Sequence, residues 1–537
     1  MLKKLPHIVD KKLYRLEQKQ SVLYTKMFNF LKRIFIFVAN CRISVGVSPS
    51  AAEAPVIIFF PLLPLQLNCG FAGLISCVRQ ENSAEITADR VLAGLWNRIK
   101  NSGLPTLLAG KNTAVNYLDG AAAVCDLSQL VTRLKEESTQ ECLLFQENRV
   151  AALSSVVQEM TRFILEEEKL LEMQGAAINS GDLENINSRL LLLKDSCWML
   201  EKDIIANLQK VVHLAGAPNA AAVPPAAFRK YRKLNLLLNA LDRLEVRGRD
   251  SAGIQLTFVL SDEKILQEIA RRIGESKLAD DYEQRLRKRD LVNGSISISA
   301  SRKVHEGYVT VTFTYKTFSI VGELGRNVSE LRNSIRNDRI LQFFASETSC
   351  FETALTHTRW ASVGSISEEN CHPVNNYTTS LPYPSEYPCY PGVAARINVV
   401  LNGDIDNYPL LRKNLEEERE LVAPQVTTDT KIIPLQIEKY LREGKNLGDA
   451  FRLAVNDFEG SHAVAMTCDL EPGKMFLALK GSGQSIYVGV DSGQYMFSSE
   501  LYGLVEVMPR FIKMNGDAVK GGVAGQIFVL DRNCEGL

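Results

Sequence analysis

Leu65–Ser76 reads LQLNCGFAGLIS, and its fifth residue, Cys69, stands directly before a run of small and apolar residues. That run, Gly70 to Ile75, is short and unbroken, as a fully buried strand is. Gly70 and Gly73 thin the surroundings of the thiol. A cysteine at the head of a buried strand is either a small core residue or a nucleophile. Residues hundreds of positions away decide between the two.

At 537 residues the chain exceeds one ordinary core, so two or more domains are expected. Its 46% hydrophobic and 23% charged residues are those of a globular protein. Lys+Arg and Asp+Glu are both 62, so no global charge points to nucleic acid or to an anionic membrane. Eleven scattered cysteines, with no zinc-like spacing, indicate reduced thiols, a cytoplasmic setting and no metal. Residues 1–49 carry ten Lys/Arg against two acids, and 27–40 hold a short apolar run. The run is too short to span a membrane, and the next one is broken by three prolines. Residues 1–68 are therefore expected to be a leader, a propeptide or a mis-assigned start, with no stable membrane insertion.

From about 85 to 250 the pattern is helical. Ile186, Leu190, Leu193, Cys197, Leu200, Ile204, Leu208 and Val211 recur at 3/4 spacing, with Asp182 placed to cap the start. Leu127–Met173 reads as a preceding helix, NSGD (179–182) as the turn, and 215–227 as a linker, which predicts an antiparallel helical hairpin. The hairpin serves either as an arm for a partner or homo-oligomer, or as an inserted subdomain packing on its own core. Beyond 253 short β-rich runs such as YVTVTFTY (308–315) and INVVLNG (397–403) alternate with helical segments at 326–341, 431–443 and 447–456. This mixture implies α+β or layered α/β packing. No P-loop or GxGxxG follows a strand, so no nucleotide cofactor is supported.

Four further stretches stand out: LDRLEVRGRDSAGI (241–254), THTRWASVGSISEENCHP (356–373), VVLNGDIDNYPLLR (399–412) and TTDT (427–430). Singly they are a polar loop, a strand end and a tight turn. In this order after CGFAGLIS they resemble the class II glutamine amidotransferase family, N-terminal-nucleophile hydrolases. Within it they look most like the glutaminase half of the glutamine–fructose-6-phosphate aminotransferases. The resemblance covers roughly 69–80 and 234–531. It implies a four-layer αββα sandwich at 69–81 and 234–537, with 82–233 as a large helical insertion.

Amide hydrolysis needs a nucleophile, a base, an oxyanion sink and a grip on the substrate. The resemblance assigns Cys69 as the nucleophile, forming a γ-glutamyl thioester and releasing ammonia, and needs no cofactor. The base it implies is the α-amine of Cys69 itself, whose unperturbed pKa of about 7.7–8.0 suits neutral pH. Asn402 and Gly403 would form the oxyanion hole, where losing one donor typically costs about 3–4 kcal/mol of barrier. Arg359 would hold the glutamine carboxylate and Asp429 its ammonium, with Trp360 and Ser362 beside the substrate. Arg247, Gly248, His372 and Asn407 would support the site.

Ser362 and Val363 depart from the family's usual HTRWATHG; serine keeps a hydroxyl, but valine neither donates nor accepts. Lys431 stands where an acid is usual and is expected at the surface. Cys69 and Arg359 lie 290 positions apart, and the long helical region between them is tolerable because lengthening a surface connection adds little closure entropy. The family's sugar-isomerase domains would begin where this sequence stops, so the fructose 6-phosphate half is expected in trans or in a continuation of the chain. The rival readings are an amidotransferase with another acceptor, and a degenerate, non-catalytic relative that binds a partner. Catalysis further requires that the Asn68–Cys69 peptide bond be absent, because an amide nitrogen cannot take a proton.

Overall fold

The computed structural model describes residues 69–76 and 88–533, apart from 111, 147, 176–177, 289–291, 301–307, 321, 379–386, 391–395, 419–421, 492–493, 507, 509 and 521–522. The expected leader over 1–68 lies outside the described residues. The apolar run after Cys69 is strand β1, Gly70–Ser76, and every one of its residues is buried. The other strands of its sheet are β2 (Ser251–Leu260), β3 (Ser295–Ala300), β4 (Val309–Phe318), β5 (Phe351–Arg359), β10 (Tyr487–Asp491), β11 (Gln494–Ser498) and β12 (Phe511–Lys513). Their order is β12-β10-β11-β1-β5-β2-β4-β3, antiparallel throughout. A second sheet, order β15-β9-β8-β7-β6, holds β6 (Val374–Asn375), β7 (Ile397–Gly403), β8 (His462–Cys468), β9 (Lys474–Lys480) and β15 (Gln526–Asp531). The two-residue strands β13 (Val519–Lys520) and β14 (Val523–Ala524) pair with each other. The fold is α+β with two antiparallel sheets.

Alternation along β1 explains how the sheets stack. Phe71 and Ile75 face a core shared with Val400 of β7, Ala463 of β8 and Leu477 of β9. Ala72 and Leu74 face the opposite way, into a core built with the helix Pro225–Leu244. On the far side of the second sheet, Val399, Val464 and Phe476 pack with the helices Ile432–Arg442 and Leu447–Asp457. The glycines of β1 have packing reasons. A Cβ at Gly73 would lie 2.4 Å from the Phe497 ring, and one at Gly70 would lie 3.0 Å from Leu244 Cβ.

All eight residues of the predicted helical seam are buried, along Ser180–Trp198, a π-helical turn Met199–Ile205, and Ala206–Leu214. The cap differs from expectation. Asn179 accepts the Asp182 N–H at 2.9 Å, so the helix opens at Ser180, inside the stretch read as a turn. The single helix expected over 127–173 is three, Gly120–Arg133, Glu137–Phe145 and Arg149–Gln174. Extended Glu136 and left-handed Asn148 interrupt it, and asparagine tolerates that conformation. The linker expected over 215–227 ends earlier, because Pro225 opens the next helix, where its missing N–H costs nothing. That helix runs unbroken across 233/234, the boundary expected for the insertion. No described helix is long and apolar enough to cross a membrane.

A buried carboxylate ties the helices before Pro225 to the rest of the chain. Glu506 accepts hydrogen bonds from Asn207 of the Ala206–Leu214 helix, from Asn239 and from Arg243, while Lys135 donates to its backbone carbonyl at 3.2 Å. Asn239 and Arg243 belong to the same helix that backs β1. The apolar residues of the helices before Pro225 thus share one core with the helix that backs β1.

Candidate active site

Cys69 sits where β1 begins, against the end of β5. The Trp360 N–H donates to Cys69 Sγ at 3.3 Å, and the thiol faces Trp360 O at 3.4 Å. The approach is close because Gly248 lies against the same peptide: a Cβ there would fall 2.5 Å from Arg359 C and 2.6 Å from Trp360 N. Thr358 Oγ1 donates to Gly248 O, and Asp250 Oδ2 accepts the Ala361 N–H at 2.8 Å. The loop after the Pro225–Leu244 helix therefore clamps the strand end that holds the thiol. Arg247 forms an ion pair with Glu500 at 3.2 Å, next to Ser499, whose hydroxyl accepts the Phe71 N–H at 3.1 Å.

Arg359 is buried, and its guanidinium donates to Ser365 O at 3.0 Å and to Val363 O. Backbone carbonyls rather than a carboxylate meet its fork, so Val363 contributes here through its main chain and not through the missing imidazole. Trp360 is 38% exposed at the rim. Ser362 Oγ donates to Asp404 Oδ1 at 2.6 Å.

The second sheet supplies the facing wall. Asn402 is buried at the end of β7, and its Oδ1 has no hydrogen-bond partner among the described residues. Gly403 takes φ +91°, and a Cβ there would meet Ser461 O at 2.2 Å. Both the dihedral and the space demand glycine. Gly403→Ala is expected to destabilise the protein by about 3 kcal/mol, read as a lowered melting temperature, from backbone strain and overpacking together.

Asp429 is buried beside this turn; Ile405 N–H donates to its Oδ2 at 3.0 Å and Thr430 N–H to its Oδ1 at 2.8 Å. Burial raises its carboxyl above the usual aspartate range, and the Asp404 charge adds to the rise. Burial pushes the Cys69 thiol up to about 11. The Trp360 backbone bond and the Arg359 charge pull it down, while Asp429 and Asp404 push it further up. Thiol, guanidinium and two carboxylates thus share one electrostatic neighbourhood.

Asn407 is placed otherwise. Its Nδ2 donates to Asp457 O at 2.8 Å and its Oδ1 accepts from Glu459 N at 3.1 Å, so it pins the 457–459 loop beneath the turn. His372 is buried between His357 and Thr430. Lys431, expected at the surface, is 2% exposed, and its Nζ donates to Asn375 O and Tyr377 O. Its charge is compensated by strand-end carbonyls. Asp404, His357 and Thr430 escaped the sequence reading. For Asp404 the signal was present: an acid directly after Asn-Gly, on the turn that carries the oxyanion candidates.

Residues 387–506 match the family described as a glutamine amidotransferase domain, a span that includes Asn402, Gly403, Asn407 and Asp429. The chain is also similar to enzymes named glutamine–fructose-6-phosphate aminotransferase [isomerizing]. That of Methanothermobacter thermautotrophicus is 30% identical over 177 residues, 33% of this chain and 25% of that protein. That of Sulfurisphaera tokodaii is 28% identical over 230 residues, 42% of this chain and 35% of the relative. That of Clostridium tetani is 31% identical over 150 residues, 28% of this chain and 21% of the relative. The chain spans about a third or less of the length of these relatives. The similarity thus points to a glutamine amidotransferase domain, and it falls on the span that supplies Asn402, Gly403 and Asp429.

Proposed function

We propose that this chain hydrolyses glutamine through Cys69 and passes the ammonia to an acceptor, as the glutaminase half of an aminotransferase. The observation that carries the reading is the thiol held against the Trp360 peptide, beside buried Arg359 and within the field of Asp429. Cys69 attacks the side-chain amide; Asn402 and the Gly403 N–H receive the oxyanion, and ammonia leaves as the thioester forms. Arg359 takes the glutamine carboxylate and Asp429 the ammonium, in an αββα sandwich of the N-terminal-nucleophile type whose helical insertion occupies 82–233. The α-amine of Cys69 is the base, so the working enzyme begins at Cys69. The acceptor suggested by the relatives' name is fructose 6-phosphate, with its isomerase in trans or further along the same polypeptide.

An electrophilic glutamine analogue, 6-diazo-5-oxo-L-norleucine, is expected to add one equivalent to the chain. Intact mass and peptide mapping should place both the adduct and the mature N-terminus at Cys69. A chain that keeps residues before Cys69 and takes up no label would instead fit a non-catalytic, partner-binding relative.

A further inference from the structure

His357, His372 and Thr430 form a buried array between the two walls of the site. His357 Nε2 lies 2.7 Å from Leu401 O, the carbonyl just before Asn402. His372 Nδ1 lies 3.2 Å from that same Nε2, with the ring centroids 4.2 Å apart. His372 Nε2 lies 2.9 Å from Thr430 Oγ1, which reaches Asp429 Oδ1 at 3.4 Å. Both rings are at least 97% buried.

Elementary donor and acceptor rules fix the direction. A carbonyl only accepts, so His357 carries its proton on Nε2. That N–H points at His372 Nδ1 as well, so Nδ1 is bare and the single proton of a neutral His372 sits on Nε2. This N–H donates to Thr430 Oγ1, whose own hydrogen passes to the Asp429 carboxylate. Each ring carries one proton, as burial of both requires. The His357 N–H therefore anchors the array on the Leu401 carbonyl while also facing His372, and the donors beyond it run towards Asp429.

We propose that His357, His372 and Thr430 are positioning residues that lock the Asp429 carboxylate to the Leu401–Asn402 strand end, so that the ammonium grip and the oxyanion hole keep one register. The proposal rests on the glutaminase reading. A merely structural role predicts a general loss, whereas this array predicts a loss confined to substrates bearing an α-ammonium. The probe pair is glutamine and glutaramate, which has the same amide and carboxylate without the α-amine. Processed protein, with Cys69 verified as its first residue, is assayed for ammonia release.

Thr430→Val is expected to raise KM for glutamine about tenfold and to reduce the preference for glutamine over glutaramate by a similar factor. Thr430→Ser, which restores the hydroxyl, should return both to within about threefold of wild type; Thr430→Ala replaces the valine variant should that one not fold. Adding His372→Phe to Thr430→Val should raise KM less than twofold further, because one array is already broken. Equal losses on both substrates, no rescue by serine, or effects that multiply overturn the proposal. Wild-type protein that releases no ammonia from either substrate overturns the glutaminase reading itself.

Discussion

Cys69→Ala is expected to abolish ammonia release from glutamine, by about 10^4-fold or more, while leaving the fold and its melting temperature nearly unchanged. The separation of the two effects follows from what Sγ touches. Among the described residues its hydrogen bonds are those to the N–H and carbonyl of Trp360, both weak sulfur bonds, and truncation to alanine removes a single sulfur atom. Catalytically nothing replaces it. Burial pushes the thiol above its ordinary range, so little of it is thiolate at pH 7 and attack must be coupled to removal of the proton. Among the described residues no imidazole is hydrogen-bonded to the thiol. His357 and His372 are committed to Leu401 and Thr430, and burial holds both well below the ordinary histidine range. The α-amine of Cys69 fits the task in position and in acidity. Protein still fused through Asn68 should therefore be as inert as the alanine variant, and steady-state ammonia release on the two, beside processed wild type, checks the point.

The parts of this site that could be read from sequence are those written in contiguous residues. INVVLNG gave β7 to the residue, because β-branched residues closed by Asn-Gly specify a strand end. CGFAGLIS gave β1, because only a strand buries so short an apolar run. The array behind the site could not be read so. Its links join residues 44, 15 and 58 positions apart, and no local periodicity records which side chains two facing sheets bring together. Lys431 shows the same limit. A lysine is normally solvated, and its burial became intelligible only once Asn375 and Tyr377 supplied carbonyls from another element. The region before Pro225 was legible as helices but not in its attachment. Asn207 meets Glu506 across 299 positions, and that contact makes the helices part of the wall behind β1.

His462→Leu is expected to make the protein about 2–3 kcal/mol more stable at pH 4.5, relative to wild type, than the same substitution does at pH 7. His462 pairs directly with Gly403 across β7 and β8 and is fully buried. Neither ring nitrogen has a hydrogen-bond partner among the described residues, so the substitution breaks no bond. Burial, helped by the Lys480 charge, lowers its pKa from 6.5 to about 4. In the unfolded chain the ring therefore takes up a proton as pH falls through 6.5, while the folded ring refuses it until about 4. Stability is lost across that window, at up to about 1.4 kcal/mol per pH unit. Leucine removes this slope, and other titrating groups cancel in the comparison of the two proteins. Urea midpoints measured at both pH values give the difference directly. A midpoint shift that is the same at pH 7 and pH 4.5 would mean that His462 accepts its proton in the folded state.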